Sequence, residues 1–82
     1  MKKIVRIPKV LEAMGLRGRS SIYERKYDGT MPPPIKNGRT VGWYEHEIEA
    51  LQIAHAAGWS KDEIKDLVRR QIETRKVEVT YV

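Results

Sequence analysis

The chain has 82 residues and no cysteine, so it allows one small domain and excludes both disulfides and thiolate metal ligands. Sixteen Lys and Arg residues against eleven Asp and Glu residues give a formal net charge of +5 at pH 7. A chain this short leaves little room for an enzyme cleft, and its basic balance favours an acidic partner such as nucleic acid.

The first residues do not predict a secretion signal. Met1-Lys2-Lys3 has the charges of one, but Arg6, Pro8 and Lys9 interrupt the apolar stretch that would have to follow. No run of apolar residues approaches membrane-spanning length. We therefore expect a cytoplasmic, nucleoid-associated bacterial protein with no membrane partner.

The next segment has the pattern of two short helices joined by a tight turn. Pro8 favours a helix start, and apolar residues then follow at helical spacing. These residues are Ile7, Val10, Leu11 and Met14. Gly15 is expected to end the helix as a left-handed cap. The short linker Arg17-Gly18-Arg19 predicts a steep crossing of the two helices, as in a helix-turn-helix.

The second helix is predicted to begin at Gly18 or at Ser20/Ser21 and to end at Gly29. Ser21 and Glu24 have the spacing of a capping box, in which the two side chains satisfy free backbone donors. Ile22 is expected to face the first helix and hold the two together.

A β-hairpin is predicted after the second helix. Three prolines, Pro32-Pro33-Pro34, hold the chain extended because they provide no backbone donors. Short strands at Ile35-Lys36 and Val41-Gly42-Trp43 would be joined by Asn37-Gly38-Arg39-Thr40, where Asn-Gly favours a tight turn. Trp43 is expected to be buried under this hairpin.

Two further helices and an alternating tail complete the predicted elements. One helix spans about residues 44–57, ends at Gly58 and buries Ile48, Leu51 and either Ala54 or His55. The other begins at a capping box formed by Ser60 and Glu63 and extends to about Lys76. Its apolar residues are Ile64, Leu67, Val68 and Ile72. Residues 77–82 alternate like a strand, which could pair with residues 4–6, extend a sheet across a dimer, or fray.

The predicted fold class is therefore mainly α with a small β-hairpin wing, a winged helix-turn-helix with a C-terminal helical extension. We assign residues 1–58 to this DNA-binding unit and residues 59–82 to an extension of the same domain used for oligomerisation. Residues 1–43 contain ten basic and three acidic residues, a net of +7, whereas residues 44–82 have a net of −2. The positive charge thus lies on the segment that would neutralise phosphates.

The start of the second helix and the hairpin offer the side chains that contact DNA in such folds, because the helix start enters the major groove and the wing lies beside it. The candidate DNA-contacting residues are Arg17, Arg19, Ser20, Ser21, Tyr23, Lys26, Lys36, Asn37, Arg39 and Thr40. We expect Arg19 to meet a guanine edge or a phosphate. Glu24 is expected to act as a helix cap rather than to contact cytosine.

Catalytic and metal sites are not predicted. His46 and His55 lie nine residues apart, off a common helical face, and the acidic residues at 45, 47 and 49 do not share one either. A nucleophile with a base at recognisable spacing and a glycine-rich phosphate loop are both lacking. We expect neither an enzyme nor a cofactor.

An ordered set of residues carries a resemblance to a known family. It consists of Arg6-Ile7-Pro8-Lys9-Val10-Leu11, Gly15-Leu16, Arg19-Ser20-Ser21-Ile22-Tyr23, Gly29, Pro32, Pro34-Ile35-Lys36, Gly38-Arg39, Val41-Gly42-Trp43 and Glu47-Ile48. This set resembles the AlpA family of phage and prophage regulators, and residues 54–69 resemble the C-terminal extension of many members. The chain departs from the family where Arg25 and Lys26 replace apolar residues, which leaves Tyr27 to supply packing.

The resemblance implies a winged helix-turn-helix that binds double-stranded DNA in a mobile genetic element. Members act as transcriptional regulators or as excisionases that bend attachment sites for an integrase. We favour a sequence-specific regulator of a prophage, with an excisionase and its integrase partner as the alternative. A protein-interaction module that uses the fourth helix is a third reading. The apolar residues of that helix also predict a homodimer or a DNA-assisted oligomer.

Overall fold

The computed structural model describes residues 3–80, apart from the side chains of Asn37 and of residues 78–80. The elements in chain order are β1 (Ile4–Arg6), α1 (Ile7–Met14), α2 (Arg19–Asp28), β2 (Ile35–Asn37), β3 (Thr40–Tyr44), α3 (Glu45–Ala56) and α4 (Lys61–Thr80). The predicted fold class is confirmed: four helices surround a small antiparallel sheet, and the arrangement is that of a winged helix.

The predicted helix pair is present. In α1 the side chain of Val10 is buried, and Gly15 ends the helix with φ 67°, in the left-handed region as expected. Ile22 on α2 is 2% exposed and joins Val10 in the core, so this contact between the helices is confirmed. Gly29 follows the last residue of α2, also as predicted.

The predicted capping box of α2 is wrong. The helix begins at Arg19, and the residue before it, Gly18, caps it without a side-chain hydrogen bond. The Ser21 N–H donates instead to the Gly18 carbonyl at 3.1 Å. Ser21 and Glu24 therefore lie one turn too far into the helix to cap its free donors.

The sheet has the strand order β1-β3-β2, with both neighbouring pairs antiparallel. β1 pairs with β3 through Ile4 opposite Tyr44 and Arg6 opposite Gly42, so the N-terminal strand completes the wing sheet rather than pairing with the tail. Gly42 is required for this close approach, since a Cβ atom there would clash with the Val5 carbonyl oxygen.

The hairpin of β2 and β3, which we call the wing, turns through two residues. Asn37 pairs with Thr40, so the turn is Gly38-Arg39, and Gly38 has φ 64°. Glycine at the first position of a two-residue turn matches the twist of the strands. Below the wing, Trp43 is 1% exposed and its Nε1–H donates to the Pro32 carbonyl at 2.7 Å, which confirms its predicted burial.

The core lies between the helices and the sheet. Its buried apolar residues are Val10, Ile22, Met31, Trp43, Ile48, Leu51, Ala54, Ile64 and Val68. Ala54, not His55, is the buried alternative on α3. The capping box of α4 is confirmed, because the Glu63 N–H donates to Ser60 Oγ and the Ser60 N–H donates to Glu63 Oε1.

The strand-like tail is a correction. Residues 77–80 continue α4 as helix to Thr80, whereas residues 81–82 of the predicted tail lie outside the described residues. Alternation between Val and polar residues is a weak strand signal that depends on context, and an existing helix extends at low cost. Among residues 3–80, no helix is long and apolar enough to cross a membrane.

Candidate nucleic-acid interface

One face of α2 carries three side chains suited to contact DNA. Arg19, Tyr23 and Lys26 follow one another at intervals of four and three residues, so they lie on the same face of the helix. All three are exposed, and Tyr23 retains 55% of its accessible surface. Ile22 points away from this face into the core, which fixes the rotation of α2.

The wing presents a second set of polar side chains. Lys36 on β2 and Arg39 in the turn are exposed, and Thr40 begins β3 half-buried. Asn37 ends β2, but its side chain lies outside the described residues. The short turn places Arg39 at the tip of the wing.

The two sets line a single open cleft between α2 and the wing. Its walls are formed by Arg6, Ile7, Pro8, Arg19, Tyr23, Lys26, Pro34, Lys36, Arg39, Thr40 and Val41. Five of these residues are Lys or Arg, and none is Asp or Glu. We call this feature the basic cleft. Within residues 3–80, none of its five cations forms an ion pair with a carboxylate.

The structure therefore brings together six of the predicted contact residues in the cleft: Arg19, Tyr23, Lys26, Lys36, Arg39 and Thr40. It does not place Arg17, Ser20 or Ser21 there. Arg17 is exposed in the turn before α2, Ser20 is exposed in the first turn of the helix, and Ser21 is half-buried.

Arg6 is a cleft residue that sequence reasoning missed. It is the last residue of β1 and comes directly before α1, and its side chain is exposed. The apolar pair Ile4-Val5 before a charged residue was the available signal for a short edge strand. Its position beside α2 depends on the β1–β3 pairing, which has no local signal in the sequence.

The outward side of α2 differs in character from the cleft side. Tyr27 is 92% exposed, so the expectation that it supplies packing is wrong. Glu24 and Asp28 lie next to it around an open depression, and Asp28 is 3.7 Å from Lys61 Nζ. The carboxylates of α2 thus lie on the side that does not line the basic cleft.

A third side of α2 contacts α3. Arg25 Nη1 lies 3.4 Å from His55 Nε2. Partial burial lowers the pKa of His55 below its ordinary value, and the nearby positive charge of Arg25 lowers it further. A neutral imidazole can accept a hydrogen bond from the guanidinium. The contact therefore ties the end of the candidate recognition helix to α3.

A metal centre is not apparent in the described part of the chain, where no group of three or more His, Cys, Asp or Glu side chains is arranged to hold an ion. The two histidines make different contacts. His46 stacks on Tyr44 with ring centroids 5.4 Å apart, whereas His55 contacts Arg25.

Comparison with known proteins agrees with this geometry. Residues 3–56 match the family described as prophage CP4-57 regulatory protein (AlpA). No curated protein and no solved structure matches the chain. The matched residues include β1, the helix pair, the wing and α3, and they end before α4 begins. The expected likeness of later residues to the extension of family members stays a prediction.

Proposed function

Because the chain belongs to the AlpA family of prophage regulatory proteins, we propose that it binds double-stranded DNA at specific sites and regulates transcription of an integrated element. In this proposal α2 enters a major groove and the wing lies in the neighbouring minor groove. The basic cleft between them receives the phosphate backbone that separates the two grooves.

The observation that carries the proposal is the composition of the basic cleft. Five Lys and Arg side chains line it, and in the described part of the chain no carboxylate pairs with any of them. Like charges held together repel one another, and an anionic ligand removes that cost. A DNA backbone supplies closely spaced phosphates and releases condensed counterions when cations replace them. The protein surface is therefore suited to a polyanion that spans from helix to wing.

The residues of α2 have different roles in this arrangement. Arg19 begins the helix, so its guanidinium can donate two hydrogen bonds to the O6 and N7 acceptors of guanine. Tyr23 and Lys26 lie one and two turns further along and suit phosphate oxygens. Arg17 and Ser20 are exposed and lie close to Arg19 in the sequence, and they are proposed to contact the flanking backbone. Ser21 is the weakest of the predicted contacts, because it is half-buried.

The wing is proposed to contribute affinity more than specificity. Its cations Lys36 and Arg39, with Thr40 and Asn37, would lie along a narrow groove whose negative potential attracts positive side chains. The minor groove presents a degenerate pattern of acceptors, so a cation there distinguishes few sequences.

The test compares two double variants of equal charge. Lys36→Gln with Arg39→Gln removes two cations from the cleft, whereas Arg69→Gln with Arg70→Gln removes two exposed cations from α4. Binding to fragments of the host genome is measured by fluorescence anisotropy, and bound fragments are sequenced to identify the site. The proposal predicts that only the cleft variant loses affinity. An equal loss of affinity in both double variants would mean that binding depends on the net charge of the protein and not on the basic cleft. If the unmodified chain binds no DNA fragment, the proposed function is wrong.

Regulation is preferred to excision because the family description is regulatory. An excisionase would use the same basic cleft and would add an integrase partner. An excision assay on a plasmid that carries both attachment sites, with the integrase supplied, separates the two roles.

A separate interaction module based on α4 has less support. Ile64 and Val68 are buried in the core, and Leu67 and Ile72 pack against it, so the apolar residues that suggested a partner surface are used internally. A homodimer or DNA-assisted oligomer, and the division of the chain at residue 58, stay predictions. Sedimentation with and without DNA tests the oligomer.

A further inference from the structure

The side chain of Arg75 joins three parts of the molecule. Its Nε and Nη2 donate to Glu47 Oε2 and Oε1 at 2.8 and 2.6 Å, and its Nη1 donates to the Pro33 carbonyl at 2.9 Å. We call Arg75, Glu47 and the Pro33 carbonyl the Arg75 anchor. It connects α4, the first turn of α3 and the proline segment that leads into the wing.

The anchor is shielded from water. Glu47 is 1% exposed and the Arg75 side chain 17% exposed. Gln71, one turn before Arg75 on α4, donates from Nε2 to the Glu47 carbonyl at 3.1 Å. The Arg75 guanidinium also lies 5.9 Å from the centre of the Tyr44 ring. A planar guanidinium that holds both carboxylate oxygens has a fixed orientation, so its remaining NH2 group, at Nη1, also has a fixed direction.

That remaining group holds the approach to the wing. Pro32, Pro33 and Pro34 have no N–H groups, so the segment cannot be fixed by donating backbone hydrogen bonds. Its carbonyls are fixed instead: Trp43 Nε1–H donates to Pro32, and Arg75 donates to Pro33. Trp43 belongs to the wing itself, on β3. Arg75 adds a direct hydrogen bond from α4 to the segment that leads into the wing, beside the packing of Trp43 in the core.

We infer that Arg75 is a positioning residue for the DNA-binding wing, one that sets the distance and angle between the wing and α2 without lining the cleft. β2 begins two residues after Pro33, and Lys36 and Arg39 follow on the wing. A shift at Pro33 therefore displaces both cations relative to Arg19 and Lys26. The inference rests on the proposed function, and it gives α4, which lies outside the residues matched to the family, a role in DNA binding.

The experiment uses the full chain with Arg75→Lys, which keeps the charge but cannot hold both carboxylate oxygens and the Pro33 carbonyl in one plane. The matched control is Arg70→Lys, an exposed residue of the same helix that pairs only with Asp66 among the described residues. Glu47→Gln removes the carboxylate to which Arg75 donates. This variant replaces Arg75→Lys in the experiment if Arg75→Lys does not fold. Folding of each variant is checked by cooperative thermal unfolding.

Two measurements are made on each variant. Backbone amide NMR shifts report the position of the wing without DNA, and the wing amides of residues 35–42 should move in Arg75→Lys but not in Arg70→Lys. Affinity for a duplex that the unmodified chain binds should fall roughly 2- to 30-fold in Arg75→Lys, as for residues that act through structure rather than contact.

A double-mutant cycle gives the readout that a merely structural role would not change. Arg39→Ala should weaken binding in the unmodified chain and have much less effect when Arg75 is already Lys, because the displaced wing no longer places Arg39 on the DNA. Unmoved wing amides, or a full effect of Arg39→Ala in both backgrounds, would overturn the inference. If the unmodified chain binds no duplex, the proposed function fails, and the amide shifts alone decide whether Arg75 positions the wing.

Discussion

The basic cleft and the Arg75 anchor use the same kind of side chain for opposite purposes. In the cleft, five cations have exposed or open surroundings and no carboxylate partner within residues 3–80. At the anchor, one cation is largely buried and donates to two carboxylate oxygens and a carbonyl. Cations that the fold neutralises hold the fold together, and cations that it leaves unneutralised are available to a ligand.

This comparison predicts which substitutions affect stability and which affect binding. Changes at the anchor, and in the core beneath it, should lower the free energy of unfolding. Changes in the cleft should leave stability nearly unaltered and weaken DNA binding.

Trp43→Ala should have the largest effect on stability. Trp43 is 1% exposed and its loss would leave a large cavity under the wing, at a cost of roughly 3–5 kcal/mol. Urea unfolding followed by circular dichroism measures the change. Arg39→Ala, at the exposed tip of the same hairpin, is the control and should change stability by no more than about 0.5 kcal/mol. If the two variants unfolded at similar urea concentrations, the buried residue and the exposed wing tip would not differ in their contribution to stability.

Arg75→Met should cost somewhat less. Removing one partner of a buried ion pair leaves Glu47 charged without compensation, which typically costs about 3–5 kcal/mol. The lower end is expected because the Arg75 side chain retains 17% exposure. Arg70→Met, which breaks an exposed pair with Asp66, should cost no more than about 1 kcal/mol. Similar unfolding midpoints for the two variants would show that the anchor contributes no more than a surface pair.

The burial of Trp43 could be predicted from the sequence, whereas the Arg75 anchor could not. Trp43 could be predicted as buried because its strand, the proline segment and the turn all have local signals. The anchor could not, because Arg75 and Glu47 are 28 residues apart and each has an ordinary local explanation. Glu47 fits the positive end of a helix, and Arg75 is one of many charges on α4.

The same reasoning explains the candidate site. The cations of α2 and the wing were predictable because helical spacing and a hairpin turn place them locally. Arg6 joins them only through the pairing of β1 with β3, a contact between distant segments. Of the two predicted starts of α2, the structure has Gly18 as the cap, and the capping box predicted for Ser21 and Glu24 does not form. Local patterns predicted the elements, and tertiary pairing decided which side chains meet.

On the binding side, Arg19→Ala should weaken affinity for the cognate site by about 1–3 kcal/mol and relax the preference at one base pair. Its position at the start of α2 gives it access to a base edge. Binding to a set of single-base variants of the site, at one salt concentration, measures both effects. Lower affinity with unchanged preference would assign Arg19 to phosphate instead.

Arg39→Ala should lower the affinity for the cognate duplex and for a scrambled duplex by similar factors. The reason is that a wing cation is expected to contact phosphate or the minor groove, where few sequences are distinguished. The slope of log affinity against log salt should decrease in magnitude by about 1 for this variant. Titrations over a series of salt concentrations give the slope. An effect restricted to the cognate duplex would mean that the wing recognises bases.

The smallest effect concerns acid stability through His55. Its pKa is lowered from 6.5 in the folded state, so the unfolded chain binds the proton more readily. Stability linked to this group is therefore complete above about pH 6.5 and is lost as the pH falls below that value. His55→Gln should remove this part of the pH dependence in a comparison of the two unfolding curves. An identical pH dependence in both proteins would contradict the assignment.

The pairing of β1 with β3 also has a consequence for the order in which the chain can fold. β1 continues into α1 without a linker, yet its partner residues 42–44 on β3 are made only after α1, α2 and β2. During synthesis the first strand therefore has no ladder partner until most of the matched segment has left the ribosome, and closing so long a loop is entropically slow. The Arg75 donors arrive later still. The helix pair can form early, but the wing acquires its final attachment only when the last turns of α4 have been made.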